Sequence, residues 1–357
     1  MRGIANRRPR WQRHQHPDHG RHHRVPGRGL GGRGLTRIFV PQPIPEVALQ
    51  RLRKLGDVIV FPHLDRTIDR PELLEAVEEA EILVAVGSTV YDREMIDAAP
   101  RLRMIAAMQT STRLVDIDRA AERSVAVTVI PNLLASTTAE YTFALLLATA
   151  WRIPEAERLL KEGRWRQRQS MALLGTRVQG KTLGIVGAGS IGQGVARRAG
   201  SFGMKVVYTK RQRLDFDLET ELGMSFRSLD DLFRESDFVA LTLAVTPETT
   251  GLVDDRLLGL MKKESILINT SRGAIVDEIA LERRLRAGMI RGAGLDVFEH
   301  EVGSDRIGPT RDLRELPNVV VTPHIGSAAR ETREEMSLRV VENIEAFLEG
   351  TTPPDLI

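Results

Sequence analysis

Four short stretches in the second half of the chain carry side chains that can do chemistry. Gly187-Ala188-Gly189-Ser190-Ile191-Gly192 follows the apolar run 182–187 and opens a helical pattern over 190–203. In that setting each glycine has its own use. Gly187 allows a tight turn, Gly189 lets a pyrophosphate approach the backbone, and Gly192 lets helix and strand pack closely. The helix amino end, beginning Ser190-Ile191, then offers free amides and a positive dipole end to the phosphates. Asn269-Thr270-Ser271-Arg272-Gly273 ends the apolar run 266–269, and Arg272 there can grip an anionic substrate with its planar fork of donors. Gly294-Leu295-Asp296-Val297-Phe298-Glu299-His300-Glu301 and Thr322-Pro323-His324-Ile325-Gly326 end two more such runs. Histidine titrates near neutral pH, so His324 is the natural general acid or base. A carboxylate on its other ring nitrogen would fix the tautomer and stabilise the imidazolium; Glu299 and Glu301 are both candidates. Taken singly, an arginine or a histidine fits an ordinary structural role. An arginine, an acid and a histidine at successive strand ends point to one site.

Those strand ends imply a particular scaffold. From Thr36 the pattern alternates short apolar runs with helical stretches: 36–40, 57–60, 82–85, 104–107 and 125–128 read as strands, with a helix over 71–80. A long helical segment spans about 137–161, with Pro154 expected to kink or break it. A second alternating series follows, with strands at 182–187, 205–208, 238–241, 266–269, 293–296 and 319–322, and a closing amphipathic helix near 328–349. Strands alternating with helices imply parallel sheets with right-handed crossovers. The expected fold class is α/β, with two doubly wound parallel-sheet domains. Residues 35–133 and 327–357 form one domain, and a dinucleotide-binding domain, 134–326, is inserted into it.

Composition narrows the function classes. Of 357 residues, 42% are apolar and 28% charged, as in an ordinary globular protein, and no apolar run is long enough to span a membrane. Cysteine is absent, which removes disulfides, thiol catalysis and cysteine-ligated metals and suits a cytoplasmic location. The net charge of +3 hides an asymmetry: residues 1–34 hold nine arginines and one acid, Asp18, so the remainder is mildly acidic. The basic character therefore gives no argument for nucleic-acid binding. The 1–34 segment lacks apolar periodicity and reads as a disordered basic tail. Its histidines, His14, His16, His19, His22 and His23, have no scaffold to hold a metal, and no metal site is expected.

The four motifs, in this order, resemble those of the D-isomer-specific 2-hydroxyacid dehydrogenases, over residues of about 36–350. The segments 137–165 and 208–212 are most similar to glyoxylate and hydroxypyruvate reductases within that family. The resemblance implies a flavodoxin-like substrate domain carrying an inserted Rossmann domain, and a homodimer joined through 137–161 and its surroundings. It implies Arg272, Glu301 and His324 as the catalytic set, with Asp296 facing the nicotinamide carboxamide. Thr246, Thr249, Thr270, Ser271 and Gly326 join the cofactor contacts. The family's substrate loop usually reads Gly-x-Gly-x-Asp; here it is Gln109-Thr110-Ser111-Thr112-Arg113, with Gln109, Thr110 and Ser111 expected at the substrate together with Arg272 and His324. Two frequent prolines are replaced by Ala244 and Val302. The expected reaction moves a hydride between NAD(P)H and a small 2-oxo acid to give a D-2-hydroxy acid. A formate dehydrogenase-like enzyme, which carries Gln in place of Glu301, and a non-catalytic NAD(H)-sensing corepressor-like protein are the alternatives. NADP(H) is expected over NAD(H), because strand 205–208 is followed by Thr209-Lys210-Arg211-Gln212-Arg213, with no acid to accept from a ribose 2′-hydroxyl.

Overall fold

The computed structural model describes residues 35–131, 133–301 and 308–357. The 1–34 tail with its histidine cluster, and Val302, lie outside the described residues. Two compact units are formed. One takes in the described chain up to Leu133 together with Arg330–Ile357; the other takes in Leu134–Ala329.

The first unit is built from β1 (Thr36–Val40), α1 (Glu46–Leu55), β2 (Gly56–Val60), α2 (Arg70–Val77), β3 (Ile82–Ala85), α3 (Arg93–Ala98), β4 (Met104–Ala107), α4 (Ile117–Glu122) and β5 (Ala126–Val129). All pairings are parallel and the strand order is β2-β1-β3-β4-β5, the flavodoxin-like winding. β3 and β4 are buried at every residue, as expected of parallel strands covered on both faces. Local signals start the helices. Asp69 and Glu72 make a reciprocal capping box on α2, and Asp92 and Asp116 cap α3 and α4. The last helix, Arg330–Leu348, belongs to this unit and buries Val340, Val341 and Ile344. Arg51 on α1 bonds Glu345 on that helix at 2.5 Å, and the Ile357 N–H donates to Val127 O at the chain end.

The second unit begins with α5 (Ala135–Ala150) and α6 (Ile153–Lys161). The helical segment expected over 137–161 is two helices, with the break expected at Pro154 falling just before it at Arg152, which takes the left-handed conformation at φ 53°. Proline then sits in the first turn of α6, where its missing N–H costs nothing. There follow β6 (Thr182–Val186), α7 (Ser190–Ser201), β7 (Lys205–Thr209), α8 (Phe216–Leu222), β8 (Met224–Phe226), α9 (Leu229–Glu235), β9 (Phe238–Leu241), α10 (Asp255–Leu260), β10 (Ile266–Asn269), α11 (Glu278–Arg286), β11 (Gly292–Leu295), α12 (Arg311–Glu315) and β12 (Val319–Val321). The seven parallel strands run β12-β11-β10-β9-β6-β7-β8. The order reverses between β6 and β9, which pair directly, and this is the switch point where open α/β sheets bind ligands. β8 has no counterpart among the expected strands, because Met-Ser-Phe is too short to show a pattern. The apolar stretch 143–151 is largely buried within this unit. Phe143, Leu145, Leu146 and Ala150 are core residues of this unit, and Trp151 alone of its large side chains is exposed. Among the described residues no helix is long and apolar enough to cross a membrane, and no cluster of acids and histidines could hold a metal ion.

Candidate active site

The turn after β6 shows why its glycines differ. Gly187 has φ +98°, and a Cβ there would lie 2.7 Å from Leu243. A Cβ on Gly192 would lie 2.4 Å from Gly187 O. A Cβ on Gly189, by contrast, would meet nothing within 4 Å. Gly187 and Gly192 are thus required by packing, whereas Gly189 faces open space at the amino end of α7, which begins at Ser190-Ile191. An anion approaching that end would find backbone amides and no side chain in its way.

Around this turn the neighbouring loops are tied together. Thr242 donates to Gly187 O at 2.7 Å. In the following turn the Thr246 N–H donates to the Thr249 hydroxyl, which itself donates to Ala244 O at 2.8 Å. Glu248 in the same turn is held below the ordinary carboxylate range. The Thr246 hydroxyl and its own amide contribute most, with a weaker pull from Arg211 that places this guanidinium nearby. Thr209 is half-buried at the end of β7, and Lys210, Arg211 and Gln212 are exposed. Arg213 is committed elsewhere: it makes two bonds of 2.8 Å to Glu219, which also accepts from Tyr208 at 2.5 Å. Asp215 and Asp217 belong to the start of α8.

After β10, the Asn269 side chain clasps its own loop. Its amide donates to Arg272 O at 3.0 Å and its carbonyl accepts the Ser271 N–H at 3.1 Å. The Thr270 hydroxyl bonds Thr142 on α5 at 2.6 Å, and the Ser271 hydroxyl donates to Leu243 O. Both hydroxyls are therefore engaged within the unit. Arg272, half-buried, donates to Ser271 O at 2.6 Å. The next residue fixes where it stands: a Cβ on Gly273 would fall 1.8 Å from the Phe298 carbonyl carbon and 2.3 Å from Glu299 N. The loop after β10 thus presses directly on the backbone of the loop after β11.

Asp296, 1% exposed, joins that second loop to the third. It accepts from the Thr322 hydroxyl at 2.7 Å, the Ile325 N–H at 3.0 Å and the Gly326 N–H at 2.8 Å. Tyr141 on α5 lies against the same group, with its phenol pushed up to about 12 by burial. These bonds hold the turn in which His324 adopts φ +52°, a conformation uncommon for a side chain with a Cβ. The His324 N–H donates to Asp296 O at 2.9 Å.

Between the two candidate acids, the geometry selects Glu301. Its Oε2 is 2.7 Å from His324 Nδ1, and its Oε1 accepts the Phe298 N–H at 2.8 Å. Burial pushes the Glu301 carboxyl up. The bond and charge of His324, the Phe298 amide and the charge of Arg272 pull it down further, so it stays ionised below the ordinary range. Arg272, Glu301 and His324, from the ends of three adjacent strands, thus form one electrostatic cluster. Nδ1 is taken by the carboxylate, and Nε2 is left as the nitrogen that can exchange a proton. Gln109, Thr110 and Ser111 lie in the first unit, after β4. There Gln109 donates to Gly87 O at 2.6 Å, and Thr110 and Ser111 are exposed. A cleft of about 210 Å³ lies at the opposite ends of β10–β12, lined by Arg152, Glu155, Arg158 and Arg291. Arg152 is spent on Glu155 and Arg291 on Glu264, and no acid–base pair like that of His324 stands there.

Comparison with known proteins gives the family. Residues 143–326 match the family described as D-isomer specific 2-hydroxyacid dehydrogenase, NAD binding domain. The glyoxylate reductase of Thermococcus kodakarensis is 43% identical over 325 residues, covering 90% of this chain and 96% of its own. That of Pyrococcus horikoshii is 42% identical, covering 90% and 95%. A crystal structure of a Thermus thermophilus protein matches with TM-score 0.81 and 42% identity, covering 90% of this chain and all of the other. The NADPH-dependent glyoxylate/hydroxypyruvate reductase of Sinorhizobium meliloti, solved with NADP and malonate, matches with TM-score 0.74 and 30% identity, covering 91% and 97%. The chain belongs to the D-isomer-specific 2-hydroxyacid dehydrogenase family, nicotinamide-dependent oxidoreductases that interconvert 2-oxo and 2-hydroxy acids.

Proposed function

We propose that this chain reduces a small, unphosphorylated 2-oxo acid such as glyoxylate or hydroxypyruvate to the D-2-hydroxy acid, with NADPH favoured over NADH. The observation that carries the reading is the His324–Glu301 pair at 2.7 Å beside Arg272. Arg272 binds the substrate carboxylate and polarises the 2-oxo group. When bound, the nicotinamide would supply the hydride to the carbonyl carbon. His324, protonated, releases its Nε2 proton to the carbonyl oxygen as that charge develops. Glu301 holds the ring in orientation and stabilises its cationic form. One hydride and one proton are consumed per alcohol formed. Arg272 and Glu301 are oppositely charged, so the cluster can accept both an anionic substrate and an imidazolium.

The second unit is assigned to the cofactor and the first to the substrate. Gly187, Gly189, Ser190, Ile191 and Gly192 take the pyrophosphate; the open space over Gly189 supports this. Thr246, Thr249, Thr270, Ser271, Asp296 and Gly326 line the remaining cofactor contacts, through backbone where their hydroxyls are engaged in the fold. On the family resemblance, Gln109, Thr110 and Ser111 bind the substrate. Oxidation of NADPH and NADH, followed spectroscopically with a panel of 2-oxo acids, tests the activity. A strong preference for 3-phosphohydroxypyruvate over glyoxylate would overturn the substrate reading.

The cofactor preference rests on Arg211, exposed at the end of β7 with Lys210 and Thr209 beside it, while Arg213 is held by Glu219. A 2′-phosphate carries nearly two negative charges. Arg211→Ala should therefore raise KM for NADPH about tenfold, on the scale of a lost charge-assisted hydrogen bond, and barely change that for NADH. Equal effects on both, or a wild-type kcat/KM higher with NADH, would contradict it.

A cytoplasmic homodimer completes the proposal. The exposed apolar residues of this region are not those of α5 but Trp151, Ile153, Leu160 and Trp165, at 52, 54, 62 and 53% exposure. α6 buries none of its residues. Such a patch favours a partner surface. Light scattering at micromolar concentration should give the dimer mass, and Leu160→Asp should shift it to the monomer; a monomeric wild type would contradict the dimer.

A further inference from the structure

Glu278 opens α11 and is 6% exposed. It is not the helix cap, since Asp277 supplies that bond to Ala280 N at 2.9 Å. Its Oε1 instead accepts the Glu299 N–H at 2.8 Å, in the middle of the segment between Phe298 and Glu301. Its surroundings are costly for a carboxylate. Burial raises its pKa; the Glu299 amide lowers it; the charges of Glu299 and Glu301 raise it and that of His300 lowers it, leaving a net rise. A buried acid beside two other acids is a poor choice for stability alone. What it does is pin the backbone two residues before Glu301, next to the Gly273 contact with Phe298 and Glu299.

We propose that Glu278 is a positioning residue for the reaction: by holding the Glu299 amide it sets the 298–301 loop so that Glu301 meets His324 Nδ1. The inference rests on the roles given above to Glu301 and His324. Glu278 is not among the residues assigned to substrate or cofactor, and its effect passes through Glu301. The loop after β10 packs against Phe298 at Gly273 but makes no bond to the Glu299 amide, which Glu278 holds.

The test is a double-mutant cycle with Glu301→Gln, read by kcat, by the pH–rate profile of NADPH-driven glyoxylate reduction, and by NADPH affinity from fluorescence. Glu278→Ala should cost about 10²-fold in kcat, the scale of a displacement near 1 Å at a reacting group. NADPH affinity should stay within about twofold, since the assigned cofactor contacts are untouched. Glu278→Gln keeps an acceptor oxygen and should recover most of the rate. The limb on which activity is lost as pH rises should move to lower pH in Glu278→Ala, as in Glu301→Gln. In the Glu301→Gln background, Glu278→Ala should add less than about twofold. If Glu278→Ala does not fold, Glu278→Leu, which fills the volume without an acceptor, carries the same comparisons. A full multiplicative loss in the Glu301→Gln background, or an unmoved pH limb, would overturn the proposal and make Glu278 a structural residue. An active His324→Ala would instead overturn the roles on which it rests.

Discussion

His324→Ala should abolish 2-oxo acid reduction, lowering kcat by about 10²–10⁴-fold, while NADPH still binds. That range corresponds to about 3–5 kcal/mol of transition-state stabilisation. The ring offers Nε2 to the substrate because Nδ1 is held by Glu301 at 2.7 Å, and no other described side chain stands in the same relation to that carboxylate. The turn itself does not depend on the ring. It is held by the bonds of Asp296 to Thr322, Ile325 and Gly326 and by its carbonyl to the His324 amide. His324 sits at φ +52°, where alanine is disfavoured, so Ala alone could lose stability as well as chemistry. His324→Asn provides the control, since asparagine tolerates the left-handed region. Both variants should be inactive, with Asn melting closer to wild type. Near-normal turnover in either would remove the proton from His324. In Glu301→Gln the loss is smaller, and the limb on which reduction fades as pH rises moves down, because the amide no longer favours the imidazolium.

Gly273→Ala should damage both stability and catalysis although it alters no reacting group. The added methyl would be placed 1.8 Å from the Phe298 carbonyl carbon and 2.1 Å from its oxygen. These are backbone atoms, and no rotamer change can relieve them. Overpacking of a tight site costs about 1–3 kcal/mol, and more where the neighbour cannot yield. Here the only relief is to part the loop bearing Arg272 from the loop bearing Glu301. A displacement of about 1 Å at a reacting centre costs about 10²-fold in rate. Thermal melting and kcat/KM with glyoxylate should therefore fall together. A folded variant with wild-type kinetics would show that the two loops need not be in register. Gly189→Ala is the contrast: it meets no protein atom and should leave melting nearly unchanged while weakening NADPH binding.

Much of this architecture was legible because parallel strands buried on both faces read as continuous apolar runs. β3, β4, β9 and β10 coincide with the runs at 82–85, 104–107, 238–241 and 266–269. The rule that ligands gather at the carboxyl ends of such strands draws attention to Arg272, to His324 and to the two acids Glu299 and Glu301. Three kinds of information were not legible. Spacing alone left Glu299 and Glu301 equivalent; the distinction came from a backbone fold that sends the Glu299 amide to Glu278 and the Glu301 carboxylate to His324. Glu278 and Asn269 gave no signal, since an acid at a helix start and an asparagine at a strand end are ordinary residues there. Their burial, and the partners it forces on them, exist only in three dimensions. What the apolarity of 143–151 serves was not legible either: it is core, because α5 packs against α7 and the sheet on its long face. Periodicity does not tell a helix buried by its own unit from one buried by a partner.

The proposed reaction would transfer a hydride from the nicotinamide to the carbonyl carbon of a 2-oxo acid and a proton from His324 to its oxygen. Glyoxylate reduction by NADPH deuterated at both C4 positions measures this most directly, with the product analysed by mass spectrometry. The expected product is glycolate one mass unit heavier, with the deuterium on C2, formed by the wild type and not by His324→Ala. NADPH that binds tightly but yields no glycolate, or glycolate without deuterium at C2, would contradict it.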